Sequence, residues 1–394
     1  MRALTWHGRR DLRVEKIPDP VIEQPTDAIV RITSSGICGS DLHLYEVLGM
    51  YMKEGDVLGH EPIGIVEEVG AEVTHIQPGD RVVVPFNISC GRCFMCDQGL
   101  FSQCETTQVV DQDKGAALFG YTELYGSVPG AQAEYLRVPQ AHFGPIKVPE
   151  GPVDDRFVYL SDVLPTAWQA VAYGNVPEGG SVAVYGLGPI GQMCARIAGH
   201  QGAETVVGVD LVAERLDMAR RHGITVLDAQ QVDDVSSVIR EMTGGRGTDA
   251  VIDAVGLEAH GTPATEAAQK LAGLLPDQLA QTINERAGVD RLDALFSSIR
   301  TVRRGGTLSV IGVYGGAADP LPMMELFDKQ IQIRMGQANV KRWVDDIMPL
   351  LMSDNDPLGT EDLATHKIAL EQAPHGYDIF QSKQDGCIKV LLEP

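Results

Sequence analysis

No part of this 394-residue sequence comes near the ~20 consecutive apolar residues that a membrane-spanning helix needs, so no membrane partner is expected. The opening residues, Met1-Arg2-Ala3-Leu4-Thr5-Trp6-His7, alternate like a strand and lack an apolar h-region. No secretory signal is therefore expected, and the expected location is cytoplasmic. Positive charge is scarce, with 32 Lys and Arg against 54 Asp and Glu, a net charge of −22. So acidic a surface repels phosphate backbones and excludes general nucleic-acid binding. There is no internal repeat and no low-complexity tract. Cysteine is also scarce: seven in all, an odd number, with four of them crowded between Cys90 and Cys104. In a cytosolic chain such a cluster points to a metal site rather than a disulfide framework. What remains is ordinary for a globular protein, with 44% hydrophobic and 22% charged residues. The length suggests two domains, or three.

Up to about Gly151 the chain reads as mostly β. Val- and Ile-rich runs at Ala28–Thr33, Ile63–Val69 and Arg81–Pro85 are punctuated by Gly and Pro. A β-barrel-like domain with cysteine-bearing loops is expected. Beyond Gly151 strands and helices alternate. A helix is expected over Leu160–Gly174, then strand Ser181–Tyr185, helix Ile190–Gly199, strand Thr205–Val209 and helix Ala213–His222. Further strands are expected at Ala250–Val255, Thr307–Gly312 and Ile331–Gly336. This order specifies an α/β fold with a doubly wound parallel sheet. Helical periodicity at Pro263–Leu274 and Asp277–Ala287 marks an insertion at about 257–300. The expected division is a β-rich domain over 1–155, a parallel-sheet domain over 156–335, and a closing segment over 336–394. That segment ends on a strand, Cys387–Leu392, available to return to the first domain.

Gly186-Leu187-Gly188-Pro189-Ile190-Gly191 fits the G-x-G-x-x-G pattern. Alone the pattern is weak. Here it follows a Val-rich strand and opens a helix, so the glycines permit a tight turn and close approach of backbone to a pyrophosphate. The helix N-terminus adds free N–H donors. Asp210 ends the next strand, 24 residues past Gly186, near the spacing of the acid that binds the adenine ribose hydroxyls. An acid there repels a 2′-phosphate and favours NAD over NADP, a preference that Arg215 nearby could soften.

Cys90, Cys93, Cys96 and Cys104 offer four thiolates, enough to close a tetrahedron around zinc with no open position, which makes a structural site. A zinc knuckle for nucleic acid shares this spacing, but the net charge argues against it. A second set is dispersed: Cys38, His60 with Glu61 beside it, and Asp162. A lone Cys or His is more often a packing residue than a ligand. Together they supply the donors of a catalytic zinc that keeps a position for water or substrate. Asp162 stands among apolar residues, where a carboxylate is costly unless paired or coordinated.

Taken together these residues resemble the zinc-containing medium-chain alcohol dehydrogenase superfamily. The resemblance covers essentially the whole chain, through Cys38-Gly39-Ser40-Asp41-Leu42-His43, Gly59-His60-Glu61, the four-cysteine lobe, the dinucleotide turn and the closing strand. It implies a GroES-like catalytic domain, split in sequence, around a Rossmann domain. It implies two zinc ions per chain, one catalytic and one structural. Cys38, His60 and Asp162 then look like the protein ligands of the catalytic zinc, with Glu61 a transient ligand in place of water. Which of Asp162 and Glu61 is the resting third ligand stays open at this point. Asp41 resembles the carboxylate that orients the zinc-bound histidine, and Ser40 and His43 the proton relay. Thr166, Arg215 and Arg334 resemble cofactor contacts. Liver-type members of the superfamily have a cysteine where this chain has Asp162. The Ser161-Asp162-Val163-Leu164-Pro165-Thr166 context is closer to the glutathione-independent formaldehyde dehydrogenase and dismutase branch, as are the segment Tyr125–Tyr135 and the insertion. In that branch the inserted segment helps to hold NAD tightly.

The function expected is hydride transfer between an alcohol, or a hydrated aldehyde, and NAD, in a homo-dimer or homo-tetramer. Three other readings remain: aldehyde dismutation with tightly held NAD, a polyol or threonine dehydrogenase, and a non-catalytic NAD-binding redox sensor.

Overall fold

A computed structural model describes residues 1–150, 153–256, 292–314 and 321–394. The chain divides into two compact units. One comprises Met1–Thr166 and Ala338–Pro394, the other Ala167–Gln337.

In the first unit, β1 (Arg2–Gly8) and β2 (Asp11–Lys16) form an antiparallel hairpin. The framework is β3 (Ala28–Ile37), β4 (Glu61–Val69), β5 (Arg81–Val83), β6 (Tyr135–Val138) and β7 (Ile146–Lys147). On β3, Ala28, Val30 and Ile32 pack with Val66, Val82, Leu136 and Val138. Full burial of one such aliphatic side chain is worth roughly 1.5–3 kcal/mol. β3 is shared between neighbours. Its first half pairs with β6, Ala28 opposite Val138, and its whole length pairs with β4. The β3–β4 register sets Gly36 opposite Glu61, so the segments carrying Cys38 and His60 leave adjacent strand ends.

In the second unit six parallel strands form one sheet: β8 (Ser181–Tyr185), β9 (Thr205–Asp210), β10 (Thr225–Asp228), β11 (Thr248–Asp253), β12 (Val302–Val310) and β13 (Gln332–Met335). The order is β10-β9-β8-β11-β12-β13. Growth of the sheet reverses at β8, which opens the crevice beyond the carboxyl ends of β8 and β11 where such sheets take ligands. Helices Pro189–His200 and Ala213–Arg221 follow β8 and β9. Both lie within a residue of the expected spans. The strand expected at Thr307–Gly312 begins earlier, at Val302, because Thr248 already pairs there before a register shift. The segments Pro263–Leu274 and Asp277–Ala287, and most of the insertion, lie outside the described residues. Helix Asp293–Thr301 is the described part of that stretch.

The closing segment brings β14 (His366–Ala369) and β15 (Val390–Glu393) back to the first unit. β15 lies antiparallel on the second half of β3, Val390 opposite Ile37. This completes a seven-stranded sheet ordered β14-β15-β3-β4-β5-β7, with β6 also on β3. The strand starts later than the apolar run from Cys387 suggests. The Cys387 and Ile388 amides are spent on Gln384 O and Thr365 Oγ1, so the ladder begins at Val390. Among the described residues no helix is long and apolar enough to cross a membrane.

Candidate active site

Cys38 directly follows β3 and is the N-cap residue of the helix Gly39–Glu46. His60 immediately precedes β4, and Asp162 sits between the turn Val158–Ser161 and the helix Val163–Gly174. Three separate stretches of chain thus converge. One ligand atom from each of Cys38, His60, Glu61 and Asp162 lies within 4.8 Å of all the others, and all four residues are buried. Asp162 Oδ2 is 3.6 Å from Cys38 Sγ and 3.5 Å from His60 Nε2. Its Oδ1 accepts from Thr166 Oγ1 at 2.6 Å. The imidazole is aimed from behind: Nδ1 lies 3.2 Å from Asp41 Oδ1, an ion-pair distance but out of line for a hydrogen bond. Nε2 therefore faces Cys38 and Asp162, with Ser40 Oγ at 3.2 Å. Phe86 and Tyr121 stand edge-on to the ring at 6.4 and 6.5 Å.

Burial, with Glu61 and Asp162 nearby, pushes the Cys38 thiol up to about 11. Burial alone would disfavour the imidazolium of His60, but Asp41 and Asp162 outweigh it and raise the pKa well above the ordinary value. Burial opposes ionisation of Asp162 too, yet His60 and Thr166 hold that acid below the ordinary range. A sulfur, an imidazole nitrogen and carboxylate oxygens, all zinc-ligand types, are thus concentrated in one buried cluster that could hold a metal ion. Glu61 adds a second observation. It is fully buried, its Oε2 accepts from Lys389 Nζ, and its Oε1 has no hydrogen-bond partner. An unmet buried acceptor costs roughly 1–3 kcal/mol. Lys389 is fully buried as well, and it donates to Ile37 O at 2.9 Å. At Gly36 any Cβ would overlap Glu61 Oε2, so the pair fits only beside a glycine. The residues present fit a zinc ion.

The four-cysteine lobe is local. Cys90, Cys93, Cys96 and Cys104 also bring their sulfurs within 4.8 Å of one another, and none is in a disulfide. Amides point at the sulfurs: Cys90 N–H to Cys104 Sγ and Glu105 N–H to Cys93 Sγ, both at 3.3 Å. At Cys93 burial opposes the thiolate, but amide donors from Cys96 and Glu105 prevail and bring the pKa down to about 6. The closing segment holds the lobe. Ser102 N–H and Oγ both donate to Asn339 Oδ1 at 3.0 Å.

In the second unit the glycine turn is tight and closely packed. Gly186 has φ +83°, open to glycine at little cost, and a Cβ at Gly191 would overlap the Gly186 carbonyl. Asp210 Oδ2 accepts from Leu187 N–H at 2.6 Å, while Oδ1 accepts from the amides of Leu211 and Val212. Three amide donors hold the carboxylate at the end of β9. Arg215 Nη1 lies 3.8 Å from Asp210 Oδ2.

Comparison with known proteins agrees with this arrangement. Residues 24–150 match the Alcohol dehydrogenase GroES-like domain family and residues 189–275 the Zinc-binding dehydrogenase family. An uncharacterized zinc-type alcohol dehydrogenase-like protein of Bacillus subtilis is 39% identical over 100% of both chains. The chain belongs to the zinc-binding medium-chain dehydrogenase/reductase superfamily. The formaldehyde dismutase of Pseudomonas putida is 32% identical over 100% of this chain and 97% of its own. The solved alcohol dehydrogenase TADH from Thermus sp. ATN1 superposes with a TM-score of 0.82 at 34% identity, covering 100% of this chain and 99% of its own. The protein is a zinc-type, NAD-linked oxidoreductase of the alcohol dehydrogenase family, with a GroES-like and a Rossmann-like domain.

Within this dehydrogenase the expected residues fall as follows. Cys38, His60, Glu61 and Asp162 come together, and so do the four lobe cysteines. Ser40 and His43 share one face of the helix Gly39–Glu46, and Asp41 lies behind His60. Thr166 sits on Asp162. Arg334 is exposed on β13, its guanidinium 4.2 Å above the Tyr173 ring. The sequence reading missed Lys389, Gln132 and Tyr377, all buried around the site. Lys389 did leave a trace, a single charge inside the apolar run Cys387–Leu392. Gln132 and Tyr377 left none.

Proposed function

We propose that this dehydrogenase oxidises small primary or secondary alcohols, or hydrated aldehydes, at a zinc held by Cys38, His60 and Asp162, and that it sits closest to the formaldehyde dehydrogenase and dismutase branch. The observation that carries this reading is the convergence of those donors around His60. Asp162 is the resting third ligand, because one oxygen of Glu61 is committed to Lys389 while Asp162 Oδ2 faces Cys38 and His60. Glu61, with Oε1 unpartnered, is the transient ligand. Zinc, when bound, supplies a Lewis acid that lowers the pKa of a substrate hydroxyl. Asp41 fixes the imidazole so that Nε2 faces the ion. Ser40 receives the hydroxyl proton, and His43 passes it on. Asp210 engages the adenine ribose hydroxyls and favours NAD over NADP. Thr166, Arg215 and Arg334 are further cofactor contacts.

The test is a panel of short alcohols and aldehydes with NAD, with NADP and with neither. NAD-dependent oxidation is expected, slower with NADP. Conversion of an aldehyde to equal alcohol and acid without added NAD would make the protein a dismutase instead, the reading the Pseudomonas relative favours. No turnover of any substrate, with two zinc ions and NAD bound, would leave only a redox sensor.

A cytoplasmic location, where thiols stay reduced, suits Cys194 and Cys387, which are unpaired and lie outside both zinc clusters. Self-association as a homo-dimer or homo-tetramer is supported by the sheet edge. All four residues of β13 are exposed, with apolar Ile333 and Met335 among them. An apolar, exposed edge strand is a template for pairing with a second copy. Sedimentation should give a dimer or tetramer, and Ile333→Lys with Met335→Lys should shift it towards monomer. A monomeric parent protein at micromolar concentration would reject this reading.

A further inference from the structure

We infer that Gln132 and Tyr377 are positioning residues for the catalytic zinc, acting through Asp41 on His60. The inference rests on the reading of His60 as a zinc ligand. Asp41 is fully buried. Its Oδ2 accepts from the Cys38 amide at 2.9 Å and from Gln132 Nε2 at 3.3 Å, leaving Oδ1 to face His60. A carboxylate held by one amide alone can swing about that bond. The second donor fixes its plane, and with it the direction of Oδ1.

Gln132 is itself fixed. It is fully buried, and its amide nitrogen donates at 3.1 Å to Gly36 O as well as to Asp41. Its Oε1 accepts from Tyr377 Oη at 2.8 Å. Two acceptors on one side and a hydroxyl on the other allow only one orientation of the amide. Tyr377 is fully buried on the helix Ala373–Ser382 and stacks obliquely on Tyr45 at 5.6 Å. Gly59, next to His60, packs so tightly on Gln132 that a Cβ there would overlap its side chain. One amide thus ties the end of β3, the start of the Cys38 helix and the turn before His60 to the closing segment of the chain. Buried polar chains of this kind are costly when half satisfied, so the set is expected to act as a unit.

The test measures release of zinc from purified holoenzyme to a chromogenic chelator, with the Cys90–Cys104 zinc as an internal reference. Loss of a partner behind a metal ligand typically costs 10–100-fold in metal affinity. Gln132→Leu is expected to speed release of one zinc of the two by about tenfold or more. Tyr377→Phe, which removes one hydroxyl and keeps the ring, should act in the same direction and more weakly. In an Asp41→Ala background Gln132→Leu should add nothing to the release rate, because the carboxylate through which the amide acts on His60 is gone. A merely structural glutamine would instead speed release of both zinc ions, or add its full effect in that background, and either result overturns the inference. If Asp41→Ala speeds release while Gln132→Leu and Tyr377→Phe do not, the inference falls and the ligand reading stands. If Asp41→Ala changes nothing, the reading of His60 and the inference fall together.

Discussion

Replacing Cys38 with Ala is expected to abolish turnover while the Cys90–Cys104 site keeps its zinc. The Cys38 sulfur is the one soft donor of the buried cluster, 3.6 Å from Asp162 Oδ2. With no cation beside it the thiol is held protonated, its pKa raised to about 11 by burial first and then by Glu61 and Asp162. A bound divalent ion reverses that balance, and the thiolate in turn retains the ion. Without the sulfur, the site keeps one imidazole and carboxylates, a set better suited to harder ions. A Lewis acid contributes several kcal/mol to such reactions. Since each ~1.36 kcal/mol is a factor of ten, kcat/KM should fall by on the order of 10³-fold or more. The backbone role survives, because the Cys38 amide still donates to Asp41. Zinc analysis should then show one equivalent per chain in place of two. A Cys38→Ala enzyme with full activity would remove Cys38 from the mechanism. One that loses both zinc ions would show instead that the change disrupts the unit as a whole.

Legibility in the sequence followed the range of the forces. The strand Ser181–Tyr185 appears with its expected bounds, since a short Val-rich run between a proline-glycine turn and a glycine turn has few other options. The lobe cysteines were legible because a single loop carries all four. From the residues alone Cys38, His60 and Asp162 were legible as donor types, a thiol, an imidazole and an acid out of place, and it was the family resemblance that grouped them as one ligand set. What brings them together is the register of β3 against β4 and the position of the turn before helix Val163–Gly174, which depend on contacts far apart in sequence. The helix Gly39–Glu46 escaped the reading. It is short, and its buried face includes Asp41 and His43, so it lacks the apolar stripe that marks a helix in sequence. Lys389, Gln132 and Tyr377 were illegible as site residues for a related reason. Their role is set by the return of the closing segment, with Val390 opposite Ile37.

That return underlies the second large effect. Replacing Lys389 with Met is expected to destabilise the first unit by roughly 3–5 kcal/mol, because it leaves Glu61 buried and without its counter-charge. Both side chains are fully inaccessible to solvent. Burial acts against the ammonium, but Glu61 and Cys38 outweigh it and raise the Lys389 pKa. Methionine matches the length of the stem, so packing is largely kept and the loss is electrostatic. The Ile37 carbonyl also loses its donor. In metal-free protein the melting temperature should fall by on the order of 10 °C. Zinc should recover more stability in the variant than in the parent, because Glu61 is then free to turn both oxygens towards the ion. Adding Glu61→Gln removes the orphaned charge and should restore most of the loss, since replacing both partners of a buried pair costs far less than removing one. Two results would reject this account: an unchanged melting temperature in Lys389→Met, or a double variant no more stable than the single one. Either would mean that the pair is not held as a buried ion pair, and that Glu61 is kept from the zinc by something other than Lys389.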